Sequence, residues 1–252
     1  MKIVLLPVLL LGFFLIHLIK MMRMYLILMD RNISFERFVP AYLRTTLVNL
    51  IIPFKLGEIY RVGVFYRITG GFKTGFFSVL IDRFFDTLAI VLILLPYQIL
   101  VSGHVTLPVI LLTAFLIVVV FAYGIFLSTY KFLNRYIITS RTSKRSMAAL
   151  KGLERLYEWY DYVKRLVRGR YGILILMSLA AWLCEVLVLV GFAHLMGQGF
   201  TVADFGNYIE SIISGSTYEL KRLYTMASIA VMLAATIIST GYYLLVQKRK
   251  AE

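Results

Sequence analysis

Several charged side chains of this sequence lie inside or beside long apolar segments, where an ionised group is costly. Most fall between residues 44 and 86, and one more carboxylate lies in a late apolar run: Arg44, Lys55, Glu58, Arg61, Asp82, Arg83, Asp86 and Glu185. An arginine offers a forked set of donors that matches a phosphate, and a nearby carboxylate can balance its charge when no phosphate is bound. These residue types therefore favour the binding of a phosphate group.

The first charged group has the spacing of residues on one face of a helix. Glu58 and Arg61 are three residues apart, so they share a face of a helix that begins just before them. Pro53 ends the preceding element, and Gly57 allows two backbones to approach closely. The free amides at the start of this helix also suit a phosphate. We expect Lys55, Glu58 and Arg61 to act together.

The second group lies inside an apolar span. Asp82 and Asp86 are one helical turn apart, and Arg83 lies three residues before Asp86. Charges at membrane depth cost several kcal/mol unless they are paired or hydrated, and they are functional candidates by default. The alternative is that such pairs only fix the register between helices.

Glu185 lies near the middle of another apolar run, with no opposite charge within one turn. Its partner must come from a different helix, or the carboxyl group must carry a proton. The candidate partners are Arg44, Arg61 and Arg83.

The composition is that of an integral membrane protein. The 252 residues are 60% hydrophobic and 16% charged, and the mean hydropathy is +0.83. Several apolar runs approach the roughly 20 residues that cross a bilayer. The net charge of +14 favours anionic lipid over nucleic acid as the partner, because little of the chain is left for a water-facing basic domain.

Cysteine and histidine usage gives no sign of a metal or cofactor. The single cysteine, Cys184, excludes an internal disulfide. The three histidines are far apart and lack the spacing of zinc ligands. We expect no cofactor.

Hydropathy predicts an all-α, polytopic membrane helical bundle that forms one domain over residues 1–252. Five full spans are predicted, and a shorter apolar piece, 38–53, contains Arg44 and is read as a re-entrant helix; the spans are 3–20, 73–97, 107–128, 171–197 and 225–247.

Topology follows from the distribution of basic residues. Segment 129–170 holds eleven Lys and Arg residues, whereas the turn 98–106 holds none. The first is therefore predicted to be cytoplasmic, as is the C-terminus, in a protein of the cytoplasmic (inner) membrane. If 38–53 is re-entrant, the basic stretch 20–37 is cytoplasmic too; if it crosses, that stretch lies outside against the charge rule.

The basic segment 129–170 contains an amphipathic helix. Apolar residues recur at three- and four-residue steps from Met147 to Val167, and lysines and arginines fall between them. Such a helix can lie on an anionic leaflet. The alternative is that it packs on neighbouring loops with its charges in solvent.

The order N-x-x-x-P-x-x-x-G-E-x-x-R, then a glycine-containing turn, then D-R-x-x-D at the start of a long span resembles the transmembrane family of lysylphosphatidylglycerol synthases. The family commonly has Glu-Arg where this sequence has Asp82-Arg83. The resemblance covers roughly residues 40–200. Its matching residues are Asn49, Pro53, Gly57, Glu58, Arg61, Gly70, Arg83 and Asp86, with Trp182 and Glu185 resembling a later family pattern.

The resemblance implies a flippase-like domain that moves phospholipids, aminoacylated ones in the best-known members, between leaflets. The synthase activity of those proteins belongs to a separate soluble domain, so we expect no enzymatic activity here. The second half departs from the family, because 198–224 has no proline. The inverted-repeat pattern of transporters is therefore visible only in the first half.

We expect a polar cavity that opens to the cytoplasmic leaflet. Arg61 and Arg83 would hold the lipid phosphate, and Glu185 would contact an amino headgroup or change protonation. The alternative is an accessory subunit that binds a polyprenyl-phosphate-linked sugar or a partner glycosyltransferase. The candidate lipid-binding residues are Arg44, Asn49, Lys55, Glu58, Arg61, Asp82, Arg83, Asp86 and Glu185.

Overall fold

The computed structural model describes residues 2–52, 56–140, 143–214 and 219–251. These ranges hold nine α-helices and no strand, which confirms the all-α class. The helices are α1 (Lys2–Leu28), α2 (Phe35–Ile51), α3 (Leu56–Thr69), α4 (Phe72–Tyr97), α5 (Leu107–Ser140), α6 (Lys144–Val167), α7 (Tyr171–Leu195), α8 (Val202–Ser214) and α9 (Glu219–Ala251).

Five of the described helices are long and apolar enough to cross a membrane, as predicted. They cover Pro7–Arg31, Phe72–Val101, Leu107–Thr139, Tyr171–Leu195 and Lys221–Arg249. The first was predicted to end at residue 20, and this boundary is wrong, because α1 continues without a break to Leu28. Lys20 and Arg23 therefore lie on a continuous transmembrane helix, where carboxylates from other helices offset their charge.

Helices α1 and α7 pack antiparallel at the centre of the bundle. Gly12 faces Val188, and a Cβ added at this glycine would lie only 2.7 Å from the valine side chain. Gly191 faces Leu9 in the same way, at 2.6 Å. Small residues at such crossings let transmembrane helices approach closely. This packing brings residues of the second half of α1 next to the middle of α7.

Helices α2 and α3 form a hairpin whose tip lies beside the middle of α4. Asn49 near the end of α2 donates a hydrogen bond to Glu58 near the start of α3, and Glu58 pairs with Arg83. Arg83 is about 17 Å along α4 from its first residue, at 1.5 Å per residue. A hairpin that turns at this depth enters and leaves from one side, which agrees with the re-entrant interpretation. Pro53 and Lys55 lie outside the described residues.

Glycines set the close crossings of this hairpin. A Cβ at Gly57 would overlap Asn49, whose Cα would be 2.7 Å away. A Cβ at Gly75 of α4 would lie 2.6 Å from the backbone nitrogen of Tyr66 on α3. The predicted close approach at Gly57 is confirmed, and it holds the start of α3 against the end of α2.

The predicted amphipathic helix is α6, which begins at a capping box formed by Ser143 and Ser146. It runs antiparallel to the end of α5: the rings of Tyr130 and Tyr157 stack at 4.3 Å, and those of Phe126 and Tyr160 at 4.7 Å. The amphipathic helix therefore packs on another helix and not on the neighbouring loops of the alternative interpretation.

Candidate functional site

Six ionised side chains from three helices meet about halfway along α4, and we call them the arginine cluster. The cations come from α1, α3 and α4, and the carboxylates come from α3 and α4. The members are Arg23, Arg61, Arg83, Glu58, Asp82 and Asp86. Five of the predicted site residues are therefore brought together here: Glu58, Arg61, Asp82, Arg83 and Asp86.

Arg23 and Asp82 form the closed centre of the cluster. The Nε of Arg23 donates to Asp82 Oδ1 at 2.8 Å, and its Nη1 donates to Ser178 Oγ at 2.7 Å and to Asp86 Oδ1 at 3.2 Å. The side chains of Arg23 and Asp82 are each only 1% exposed. A pair that is this deeply buried needs several satisfied contacts to offset its desolvation, and it has them.

Arg61 lies beside this centre with spare hydrogen-bonding capacity. Its Nη1 is 3.3 Å from Asp82 Oδ2 and 4.0 Å from Glu58 Oε2, and its guanidinium lies 5.2 Å from the ring centre of Tyr42. Its Nε and Nη2 are buried without a hydrogen-bond partner among the described residues, as is Glu58 Oε2. The predicted Glu58–Arg61 pairing on one helix face is therefore present, at the limit of ion-pair distance.

Arg83 is the cation at which the cluster reaches the surface. Its Nε is 3.1 Å from Glu58 Oε1, and its other nitrogens lie 3.6 Å from Asp82 and 3.7 Å from Asp86. Its side chain is nevertheless 44% exposed. Phe76 and Leu80, on the same side of α4, are exposed as well, so Arg83 shares an exposed face of the helix with apolar side chains.

Glu185 belongs to a second polar group, which we call the lysine site. Lys20 Nζ is 2.7 Å from Glu185 Oε2 and lies 5.0 Å from the ring centre of Trp182. Tyr208 of α8 donates to Glu185 Oε1 at 2.8 Å. The prediction that an arginine among Arg44, Arg61 and Arg83 neutralises Glu185 is wrong, because the packing of α1 on α7 brings a lysine there instead.

Of the remaining predicted residues, Asn49 contacts the arginine cluster and Arg44 does not. Asn49 takes part through its hydrogen bond of 2.9 Å to Glu58. Arg44 is exposed and forms no ion pair with any described residue, so it does not belong to either polar group.

Sequence reasoning missed Lys20, Arg23 and Tyr208. The first two were assigned to the end of a span and to a basic loop, although the apolar character of the sequence resumes after Lys20 and continues to Met29. Their three-residue spacing inside this run is the signal that could have found them. Tyr208 carried no comparable signal, because its role depends on where α8 packs.

The charges of the two polar groups balance. Lys20, Arg23, Arg61 and Arg83 supply four positive charges, and Glu58, Asp82, Asp86 and Glu185 supply four negative ones. Two small clefts of about 60 and 70 Å³ lie between α1 and its neighbours, and apolar side chains line most of each. Neither cleft contains an arginine-cluster residue, so neither is the predicted polar cavity. The described part of the chain also holds no group of His, Cys, Asp and Glu that could bind a metal.

Comparison with known proteins gives one match. The model of the lysylphosphatidylglycerol synthase TM region matches residues 1–237, which extends the resemblance beyond residues 40–200 at both ends. No curated protein and no solved structure matches. The match spans both polar groups and all five membrane helices over most of their length. The chain therefore belongs to the lysylphosphatidylglycerol synthase transmembrane family.

Proposed function

We propose that this membrane protein binds the headgroup of a phospholipid at Arg83 and carries it between the two leaflets. The observation behind the proposal is the Arg83 side chain, which is 44% exposed about halfway along α4, on a face that it shares with the exposed Phe76 and Leu80. An ionised side chain facing hydrocarbon is costly unless it meets water or a polar partner there. A phosphate that approaches along the bilayer supplies such a partner.

The remainder of the arginine cluster is suited to release Arg83. Glu58, Asp82 and Asp86 each lie near at least one other cation, Arg23 or Arg61. When a phosphate attracts Arg83, these carboxylates therefore keep a counter-ion. Arg61 also has two nitrogens without a partner in the described part of the chain, which can compensate for part of the lost contact.

Charge balance indicates which headgroups suit the site. The two polar groups are neutral together, so a headgroup with only a phosphate adds one negative charge to a buried region. A headgroup that carries both a phosphate and an ammonium adds none. We therefore propose an aminophospholipid with one ammonium group as the preferred substrate class, which includes a phospholipid aminoacylated with an amino acid whose side chain is uncharged.

The hairpin of α2 and α3 supports movement as well as binding. Its tip lies beside the middle of α4, so protein rather than lipid fills that half of the bilayer next to the site. Irregular backbone at this depth is tolerated where it is buried in protein or lines a wet path. The headgroup would have to cross only the remaining half.

We place the protein in the cytoplasmic membrane, with its C-terminus in the cytoplasm, and assign it no enzymatic activity. Arg170 pairs with Asp30 at 2.6 Å and Lys73 with Glu158 at 3.2 Å. These pairs join the end of α1, the starts of α4 and α7, and α6 at one end of the bundle. The basic residues of segment 129–170 lie beyond this end, which fits the anionic cytoplasmic leaflet.

Leaflet exchange in liposomes tests the proposal. Protein reconstituted with a fluorescent aminophospholipid should expose the inner-leaflet label to a membrane-impermeant quencher, and Arg83→Ala should slow this about tenfold or more, since a charge-assisted contact is worth about 1.5–3 kcal/mol. Arg61→Ala should slow it as well. Arg44→Ala is the matched control, because this exposed arginine lies outside the cluster, and it should leave the rate unchanged.

Exchange that persists in both cluster variants, each verified as folded by its melting profile, would refute the proposed site. Lipids retained by the protein in mild detergent provide a second readout, by mass spectrometry. Retention of a polyprenyl phosphate, combined with no exchange by the unmodified protein, would instead support an accessory subunit.

A further inference from the structure

Lys20 occupies a small, defined site for a primary ammonium group. Its Nζ lies 2.7 Å from one oxygen of Glu185 and 5.0 Å from the ring centre of Trp182. The second oxygen of Glu185 accepts a hydrogen bond from Tyr208 at 2.8 Å. A carboxylate combined with an aromatic face is a general way to bind an alkylammonium ion.

The walls of this site are more firmly held than the cation in it. Glu185 is fixed by Tyr208, and the Trp182 ring meets Phe205 edge-on at 6.4 Å. Trp182 and Tyr208 are each 4% exposed, whereas the Lys20 side chain is 21% exposed. The lysine ammonium sits on a flexible four-carbon stem. The cation is therefore the part of the site that can leave.

We propose that Trp182, Glu185 and Tyr208 form a subsite for a primary ammonium, and that Lys20 fills it as a tethered ligand which a lipid amine displaces. This inference rests on the proposed function and names the residues that would receive the amino end of the headgroup. Lys20 and Arg23 are three residues apart on α1, and their partners Glu185 and Ser178 are seven residues apart on α7. The two polar groups are therefore separated by about 4.5 Å along one helix and about 10 Å along the other. A headgroup whose phosphate and amine span such a distance can engage both.

Chemical rescue provides a test that does not depend on transport. Lys20→Ala leaves Glu185 facing a space with the shape of a propylammonium ion. Adding n-propylammonium at about four times its dissociation constant should raise the melting temperature of this variant in detergent by about 2–4 °C. If the variant does not survive purification, recovery of monodisperse protein with the amine present throughout is the readout.

Three controls separate a subsite from an ordinary ion pair. The double variant Lys20→Ala with Glu185→Gln should show no rescue, because the carboxylate that binds the amine is gone. Lys73→Ala should show none either, since its pair with Glu158 is exposed. Propyltrimethylammonium should fail on Lys20→Ala, because it has no N–H donor for Glu185. Equal shifts in the melting temperature of Lys20→Ala with the primary and the quaternary ammonium ion, or no shift with either, would overturn the proposal.

Lipid selection extends the test to the substrate class. Nanodiscs that contain equal amounts of phosphatidylethanolamine and phosphatidylcholine present the same phosphate with and without a primary amine. Lys20→Met should raise the ratio of bound phosphatidylethanolamine to bound phosphatidylcholine about tenfold over that of the unmodified chain. Glu185→Gln should abolish the preference for phosphatidylethanolamine. An unchanged ratio would refute the subsite even if Arg83→Ala stops exchange, whereas a raised ratio without any exchange would refute only the transport proposal.

Discussion

The arginine cluster and the lysine site solve the same problem, a charge within the membrane, in different ways. In the arginine cluster, six ionised groups share contacts, and Asp82 alone touches Arg23, Arg61 and Arg83. In the lysine site, one lysine faces one glutamate within aromatic walls. When one ion pair of the cluster breaks, its carboxylates still have another cation nearby. When Lys20 leaves Glu185, another cation must take its place for the carboxylate to stay paired.

Under the proposed function, this difference would give the two groups complementary tasks. Sharing would let Arg83, at the surface of the cluster, leave its carboxylates without leaving them unpaired. One-to-one pairing would make the lysine site selective, since only another cation with an N–H donor could replace Lys20 without a large cost. Removing a side chain should then have the effect that its position in one group or the other implies.

The largest expected effect is at the closed centre of the cluster. Arg23→Met should destabilise the protein by about 3–5 kcal/mol, because it leaves Asp82 and Asp86 without their most deeply buried partner. The measurement is the free energy of unfolding in mixed micelles. Arg44→Met, at an exposed position of α2, should change it by less than about 1 kcal/mol.

A double-mutant cycle sharpens this prediction. Asp82→Asn in the Arg23→Met background should cost less than the same change in the unmodified protein, since the carboxylate has then already lost its partner. Strict additivity of the two changes would show that Arg23 and Asp82 are not energetically coupled and would contradict the geometry.

Most of the arginine cluster could be predicted from the sequence, whereas the lysine site could not. Glu58 with Arg61, and Arg83 with Asp86, are neighbours within one helix, so the three-residue spacing alone indicated them. The five spans and the re-entrant hairpin followed from hydropathy and from the arginine in a short apolar piece. These are local properties of the chain.

The lysine site could not be derived in this way. Lys20 and Glu185 are 165 residues apart, and only the packing of α1 on α7 through Gly12 and Gly191 brings them together. Nothing in the spacing of charges specifies that crossing. Tyr208 depends on the further placement of α8, a helix too short to be recognised as a membrane element by length.

Gly57→Ala should disturb the arginine cluster without changing a charge. The added Cβ meets the backbone of Asn49 at 2.7 Å, so α2 and α3 must separate at the point that positions Glu58. We expect a loss of about 1–3 kcal/mol in the free energy of unfolding, the usual cost of overpacking, together with slower leaflet exchange.

Gly63→Ala is the matched control on the same helix. A Cβ there meets nothing within 4 Å, and alanine favours the helix over glycine by about 0.5–1 kcal/mol. It should therefore leave stability unchanged or raise it slightly. Equal losses in the two variants would show that the hairpin crossing is not what positions Glu58.

Tyr208→Phe removes one hydroxyl from the lysine site and should lower the free energy of unfolding by less than Arg23→Met or Gly57→Ala. Glu185 keeps Lys20 but loses a hydrogen bond of 2.8 Å, which is worth about 1–2 kcal/mol within a membrane bundle. The same free energy of unfolding measures it. Tyr242→Phe, at a position that is 66% exposed on α9, is the control and should have no effect.

The smallest loss of stability is expected at Lys73 and Glu158, a lysine–glutamate pair that is exposed to solvent. Lys73 and Glu158 are 3.2 Å apart, but their side chains are 53% and 62% exposed, so solvent screens the attraction and Lys73→Ala should cost about 0–1 kcal/mol. A double-mutant cycle on this pair should give a coupling energy near zero, and the same cycle on Lys20 and Glu185 should give a clearly favourable one. If the two cycles agree, burial adds nothing to the lysine–glutamate pair, and the lysine site loses its basis as a selective ammonium site.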